Sequence, residues 1–175
     1  GTVIEPDAIG RLRGNDAARR TEVASYDADA QAVLAWLREQ AVVDQERLGA
    51  VGFCIGGHLA FRAAFRPAVR ATACLYPTGL QNGKLGRGVA DSLQRAGEIK
   101  GALFTLFGSE DPHVPAEDRE RVLEALRGLR HETVLFEANH TFMRDDGWRW
   151  DPDLADQAWA AVITFLRREL SPAQP

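Results

Sequence analysis

Cysteine is scarce in this 175-residue sequence. Only Cys54 and Cys74 occur, twenty positions apart and with no Cys-x-x-Cys spacing. That leaves no disulfide scaffold and no zinc site to organise the chain, so no metal is expected and a reducing cytoplasm is the expected compartment. Long apolar runs are missing too. None approaches the ~20 residues that a bilayer-crossing helix needs, and no membrane partner is expected. Charge of one sign never accumulates: 21 Lys and Arg stand against 25 Asp and Glu, for a net charge of −4 and a pI near 5.6. Without a basic stripe, nucleic acid is not an expected partner. Internal repeats and low-complexity tracts are absent, which excludes solenoids and arrays. What remains is a chain with 45% hydrophobic residues, enough to fill one core. One domain over residues 1–175 is expected.

Periodicity sorts that content into elements. Residues 1–21 are polar and give little pattern beyond a short helix from Asp16. From Thr21 to about Gln40, Val23, Tyr26, Ala30, Val33, Leu34, Leu37 and Ala41 recur at three- and four-residue steps, an amphipathic helix to be laid against a sheet. Leu48–Phe53 is short and uniformly apolar, as a parallel strand buried on both faces would be. A helix to about Phe65 follows, then a strand at Val69–Tyr76. Pro77 to Gly88 is a glycine-rich loop, and Asp91–Ala96 reads as a weak helix. Ala102–Phe107 is the third strand. Pro115 opens the next helix, with Val122, Leu123, Leu126 and Leu129 as its buried stripe. Glu132–Phe136 is the fourth strand, and Asp151-Pro152 starts a last helix with Arg167 and Arg168 near its end. Strands alternating with helices predict an α/β fold, an open parallel sheet with helices on both faces. Ligands of such sheets bind at the carboxyl ends of the strands.

The most informative stretch is Gly52-Phe53-Cys54-Ile55-Gly56-Gly57. A residue with glycine two positions to either side, between a strand and a helix, has the pattern of a nucleophile elbow, a turn too tight for flanking side chains. Here the lifted residue is a cysteine. A thiol at a helix N-terminus is biased toward the thiolate, and the Ile55 N–H is placed to meet an oxyanion. The plain alternative is a glycine-rich junction around a buried structural cysteine. Two further residues with matching chemistry follow strands at the same end: Asp111, in Gly108-Ser109-Glu110-Asp111-Pro112, and His140, in Ala138-Asn139-His140-Thr141. Nucleophile, acid and histidine then come in α/β-hydrolase order. His140 is the candidate base and Asp111 the residue that orients it. Glu110, Asp118 and Asp91 compete with Asp111. Among the other histidines, His58 reads as packed, His113 as solvated and His131 as the start of a strand.

Gly-Phe-Cys-Ile-Gly-Gly at 52–57, Gly-Ser-Glu-Asp at 108–111 and Asn-His-Thr-Phe-Met-Arg at 139–144 resemble the dienelactone hydrolase family, along nearly the whole chain. The resemblance implies an α/β-hydrolase fold and a Cys-His-Asp triad of Cys54, His140 and Asp111. The implied activity is hydrolysis of a lactone or ester bearing a carboxylate, through a thioacyl intermediate and with no cofactor. It also implies that Arg144 holds the substrate carboxylate, against the alternative of a surface pair with Asp145 or Asp146. Trp148 and Trp150 are candidates to line a pocket near Arg144. Members of the family begin with further strands. These carry a glutamate that regulates the thiol, a second oxyanion-hole amide and another substrate-binding arginine, for which Arg11 and Arg13 are no convincing substitutes. The expectation is therefore that these 175 residues are the C-terminal two-thirds or so of a larger hydrolase. In the working molecule strand Leu48–Phe53 would be covered by a missing N-terminal segment or by a second chain. A catalytically silent fragment or binding module is the competing expectation.

Overall fold

The computed structural model describes residues 3–5 and 7–172 and folds them around one four-stranded parallel sheet. Its strands are β1 (Leu48–Phe53), β2 (Val69–Leu75), β3 (Ala102–Gly108) and β4 (His131–Phe136), adjacent in chain order. Five helices accompany them: α1 (Ala8–Arg20), α2 (Val23–Arg38), α3 (Ile55–Ala63), α4 (Ala116–Ala125) and α5 (Pro152–Leu170). The period-2 alternation of strand side chains divides the interior into two layers. On one face Cys74, Leu103 and Phe107 meet Phe61 and Phe65 beside α3 and Val122 and Leu126 beside α4. On the other, Ala71, Ala73, Leu75, Phe104 and Leu106 meet Ala158, Val162 and Phe165 of α5. Every residue of β3 is buried. Truncating a core ring such as Phe104 to alanine would cost roughly 3–5 kcal/mol. No helix among the described residues is long and apolar enough to cross a membrane.

Local chemistry explains the element ends. Asp151 accepts a hydrogen bond from the Leu154 N–H at 3.0 Å, Pro152 occupies the first turn of α5, and Arg167 and Arg168 lie at its carboxyl end, as expected. α1 begins earlier than Asp16 because Asp7 caps it, accepting from the Gly10 N–H at 2.6 Å. Only Gly10 of that helix is buried, so its start is set by a cap that hydrophobic periodicity does not register. In place of a helix over Asp91–Ala96, residues 92–95 form a turn, followed by a single 3-10 turn at Ala96–Glu98. Pro115 caps α4 rather than entering it, and Leu123 stays at the rim, 36% exposed.

Two features of α2 and β1 bear on the site. The apolar stripe of α2 does not reach the sheet interior: no residue of α2 is fully buried, and the helix rests beside α3. Between α2, α3 and β1 lies a groove of about 520 Å³, lined by residues that include Tyr26, Leu34, Leu37, Ala50 and Leu59. β1 has the apolar content of a strand buried on both faces but is the edge strand of the described sheet, as expected for Leu48–Phe53 where no further segment covers it. Its only neighbour is β2, so Val51 is 42% and Phe53 37% exposed, with Trp159 and Ile163 of α5 half-covered beyond them.

Candidate active site

The turn after β1 is fixed by close backbone approaches. A Cβ on Gly52 would stand 1.9 Å from the Gly56 carbonyl oxygen, so only glycine fits. Gly56 itself has open space around its Cβ position, contrary to the expectation that both flanking positions exclude a side chain. The second tight position is Gly57, whose Cβ would lie 3.1 Å from the Leu75 oxygen and from Pro77. Cys54 sits between at φ 54°, ψ −123°, a conformation that lifts its side chain off the sheet. Its N–H donates to the Leu75 oxygen at 3.0 Å, and its carbonyl accepts from the N–H groups of Gly57 (3.0 Å) and Thr78 (3.2 Å). The other non-glycine residues with positive φ in the described chain are Tyr76 (38°) and Thr141 (62°). All three border the same site. Backbone held this way costs on the order of 1–3 kcal/mol per residue, which the surrounding contacts must offset.

The acid and histidine loops are fastened to each other at the end of β3. Gly108 allows the approach, since a Cβ there would lie 2.2 Å from the Ala138 oxygen. The Glu110 N–H donates to that oxygen at 3.0 Å, and Ser109 N–H reaches the Phe136 oxygen at 2.7 Å. Asp111 is thereby turned inward and buried. Its Oδ1 accepts from the His113 N–H at 2.8 Å, and its Oδ2 meets Nδ1 of His140 at 2.7 Å. Nε2 of His140 lies 3.2 Å from the Cys54 sulfur. The competing acids are engaged elsewhere. Asp91 pairs with Arg62, Asp118 contacts Gln81 and Arg121, and Glu110 is exposed.

The electrostatics agree with this geometry. Burial alone would raise the Cys54 thiol. The hydrogen bonds from His140 and Thr78, the His140 charge and the Ile55 N–H outweigh it, and the pKa falls below the ordinary value of 9.0. Burial pulls His140 down. The Asp111 and Cys54 hydrogen bonds and charges prevail, and its pKa rises to about 9. The two shifts act together in favour of a thiolate beside an imidazolium. Ile55 is the first residue of α3, so its N–H has no intrahelical acceptor; it faces the Cys54 sulfur, where an oxyanion would develop. Cys74 is fully buried in β2, where burial pushes its thiol far up.

Cys54, His140, Asp111 and Ile55 are thus brought together. Arg144 makes no bond to them: its guanidinium forks onto the Asp146 carboxylate, and both side chains are more than half exposed. Trp148 is 84% exposed, with Arg149 stacked 4.3 Å from its ring, and Trp150 is half exposed. Two neighbours were not legible as site residues. Tyr76 places its ring 5.2 Å from that of His140, and Thr78 holds its hydroxyl 3.5 Å from the Cys54 sulfur. Both follow β2 at the same end of the sheet. That position was a usable signal, although neither residue type pointed to it.

A parallel sheet that raises one residue on a strand–turn–helix elbow, with an acidic residue and a histidine on later loops at the same end, has the α/β-hydrolase fold. Within that class, the chain belongs to the dienelactone hydrolase family, whose sequence profile matches residues 7–170. A Saccharomyces cerevisiae relative, provisionally named carboxymethylenebutenolidase, is 33% identical over 173 residues, covering 94% of this chain and 63% of its own length. The carboxymethylenebutenolidase of Pseudomonas putida is 26% identical, covering 95% of this chain and 67% of that enzyme. A crystal structure from Klebsiella pneumoniae, provisionally named dienelactone hydrolase, superposes with a TM-score of 0.70 at 24% identity, over 81% of this chain and 60% of that one. The chain therefore spans about two thirds of the length of such relatives.

Proposed function

We propose that this protein hydrolyses a lactone or ester through a thioacyl enzyme, with Cys54 as nucleophile, His140 as base and acid, and Asp111 as the group that orients His140. The observation that carries the reading is the bridging imidazole, with a buried carboxylate on one nitrogen and the elbow thiol on the other. The thiolate attacks the substrate carbonyl carbon, and the carbonyl electrons move to oxygen, where the Ile55 N–H meets them. Collapse of that intermediate breaks the carbon–oxygen bond of the ester. His140 gives its Nε2 proton to the departing alkoxide, which for a lactone remains tethered as a hydroxyl on the acyl chain. The neutral imidazole then takes a proton from water as the water attacks the thioester. The second collapse returns the electron pair to sulfur and restores the ion pair.

The substrate class draws support from the names of the relatives, which describe carboxymethylenebutenolidases. It also draws support from Arg144, which already grips a carboxylate in bidentate fashion. A substrate carboxylate would displace Asp146 from that fork. Cys54→Ala tests the reading on a generic aryl ester. Turnover should drop to background. Undiminished turnover would show that the ester is cleaved elsewhere, and an inactive parent protein would favour a silent binding module.

A further inference from the structure

Cys54 has a partner that the triad does not explain. The loop after β2 returns over the elbow, and Thr78 contacts Cys54 twice. Its N–H donates to the Cys54 carbonyl at 3.2 Å, and its hydroxyl stands 3.5 Å from the sulfur. Threonine is β-branched and stiff at χ1, so fixing its backbone also fixes where its hydroxyl points. Beneath this loop is a buried cluster that the reaction does not use. His58, one turn into α3 and wholly buried, has Nε2 at 2.7 Å from the Ser92 hydroxyl. Its Nδ1 faces the Thr78 backbone without reaching a well-formed hydrogen bond. Ser92 accepts from Arg62 at 3.0 Å, and Arg62 forks onto Asp27 of α2 (2.8 and 2.6 Å) while also holding Asp91 (2.8 Å). Charged and hydroxyl groups from α2, α3 and the loop are thus locked together behind Thr78.

We propose that the Thr78 hydroxyl is a second hydrogen-bond donor to the Cys54 thiolate, presented by a loop that the His58–Ser92–Arg62 cluster holds in place. The proposal rests on the reading of Cys54 as the nucleophile. It gives the thiolate two donors with different duties. His140 surrenders its proton to the leaving group and regains it from water. Thr78 keeps its proton throughout and is still there when sulfur recovers its charge on deacylation. The other groups facing the ion pair are the Ile55 N–H at the start of α3, the Tyr76 phenol at the end of β2, Asp111 behind His140, and His113, whose ring lies 4.6 Å from that of His140. None of the Tyr76, Asp111 and His113 side chains makes a hydrogen bond to the sulfur, which leaves Thr78 as the side-chain donor besides His140 among the described residues.

The test reads the thiol directly. Rates of iodoacetamide alkylation are measured against pH for the parent protein, Thr78→Val and Thr78→Ser. Cys74 is buried and silent, so the profile reports Cys54 in its pair with His140. Thr78 is only half-buried, and valine keeps its shape, so melting temperatures should match and serve as the folding control. Thr78→Val should raise the acid-side midpoint by about 0.5–1 pH unit, because a donor to the charged form has been removed. Below the midpoint, alkylation should slow by roughly three- to tenfold. Thr78→Ser should restore the parent midpoint. A midpoint unmoved in Thr78→Val, or moved equally in Thr78→Ser, overturns the proposal. Ester turnover of Cys54→Ala, measured in parallel, decides the nucleophile reading separately.

Discussion

Among the described residues, two buried histidines, His140 and His58, each stand within hydrogen-bond distance of a potential nucleophile, and only one has the layout of a catalytic site. The first, His140, lies between the Cys54 thiol and the Asp111 carboxylate. The second, His58, bonds the Ser92 hydroxyl at 2.7 Å, the shorter of the two nucleophile contacts. The difference is on the far nitrogen. His140 has a carboxylate there, which stabilises the imidazolium, and its pKa rises to about 9. His58 has no such partner. Burial and the nearby Arg62 charge depress it to about 4, so its imidazolium is disfavoured and it is a weak base toward the serine proton. Access separates them as well. Ser92 is wholly buried, whereas Cys54 is half-exposed at the carboxyl end of an edge strand. A short histidine–hydroxyl contact is therefore no sign of catalysis. The far-side carboxylate and an open approach are the discriminating features.

The largest expected effect breaks that distinction chemically. Asp111→Asn should remove the charge behind His140 and favour the wrong tautomer, lowering kcat on an aryl ester by about 10²–10⁴-fold. Ser92→Ala should leave kcat within a few-fold of the parent. Comparable losses from the two substitutions, measured in one steady-state assay, would mean that the second cluster takes part in the reaction.

Arg144 offers a smaller contrast, between substrates rather than sites. If its fork exchanges Asp146 for a substrate carboxylate, Arg144→Ala should reduce turnover of carboxylate-bearing esters by about tenfold or more, since a charge-assisted contact is worth ~1.5–3 kcal/mol. Neutral esters should lose little. Equal losses on both would make the residue structural.

Position in the sheet sharpens the comparison further. The His58 cluster is enclosed by α2, α3 and the loop, while the candidate site sits at the end of β1, whose outer edge carries no strand among the described residues. An apolar edge of this kind invites another strand. The 175-residue chain should elute from gel filtration as associated species at higher concentration. Val51→Lys, placing a charge on the edge strand, should shift it toward monomer. A parent chain that stays monomeric at all concentrations would count against pairing through β1.

The smallest effect is a pH dependence of stability. The folded-state pKa of His58 is about 4, against 6.5 for the ordinary side chain. As pH falls through 6.5, the unfolded chain takes up a proton that the folded chain refuses, so stability should decline between about pH 6.5 and 4. Above 6.5 the raised pKa of His140 makes its stabilisation fade as pH rises toward about 9, and the lowered pKa of Cys54 acts in the opposite sense. Thermal melts should therefore show an acid limb that His58→Gln flattens by a few degrees. Parallel melting curves for parent and variant would place that limb elsewhere.

Much of this was legible in the sequence because it is local. The elbow glycine Gly52, the Asp151-Pro152 start of α5 and the positions of the strands all declare themselves over a few residues. Asp111 and His140 could be singled out because parallel strands deliver their following loops to one end. The illegible parts depend on what lies across the fold. Leu48–Phe53 has the apolar content of an interior strand, and its need for cover was legible, but how far Val51 and Phe53 are exposed beside Trp159 and Ile163 depends on the packing of α5. The α2 stripe looked like a sheet-facing surface, but Asp27 within it is tied to Arg62 and the helix rests beside α3. Thr78 and Tyr76 carry no motif, and their places depend on how the loop after β2 folds back over Cys54. Arg144 was singled out by the family resemblance with a pair to Asp145 or Asp146 as its alternative, and the choice between those carboxylates is made by the fold of the loop, which turns Asp146 into the fork.

The central claim is a covalent bond between substrate acyl carbon and the Cys54 sulfur, and mass spectrometry can look for it. Protein turning over an aryl ester would be quenched in acid, digested and mapped. The account predicts an acyl mass on the peptide containing Cys54, absent from the peptide containing Cys74, sensitive to hydroxylamine as a thioester is, and lost in Cys54→Ala. Continued turnover with no acyl group on Cys54, or an acyl group that remains in Cys54→Ala, would contradict it.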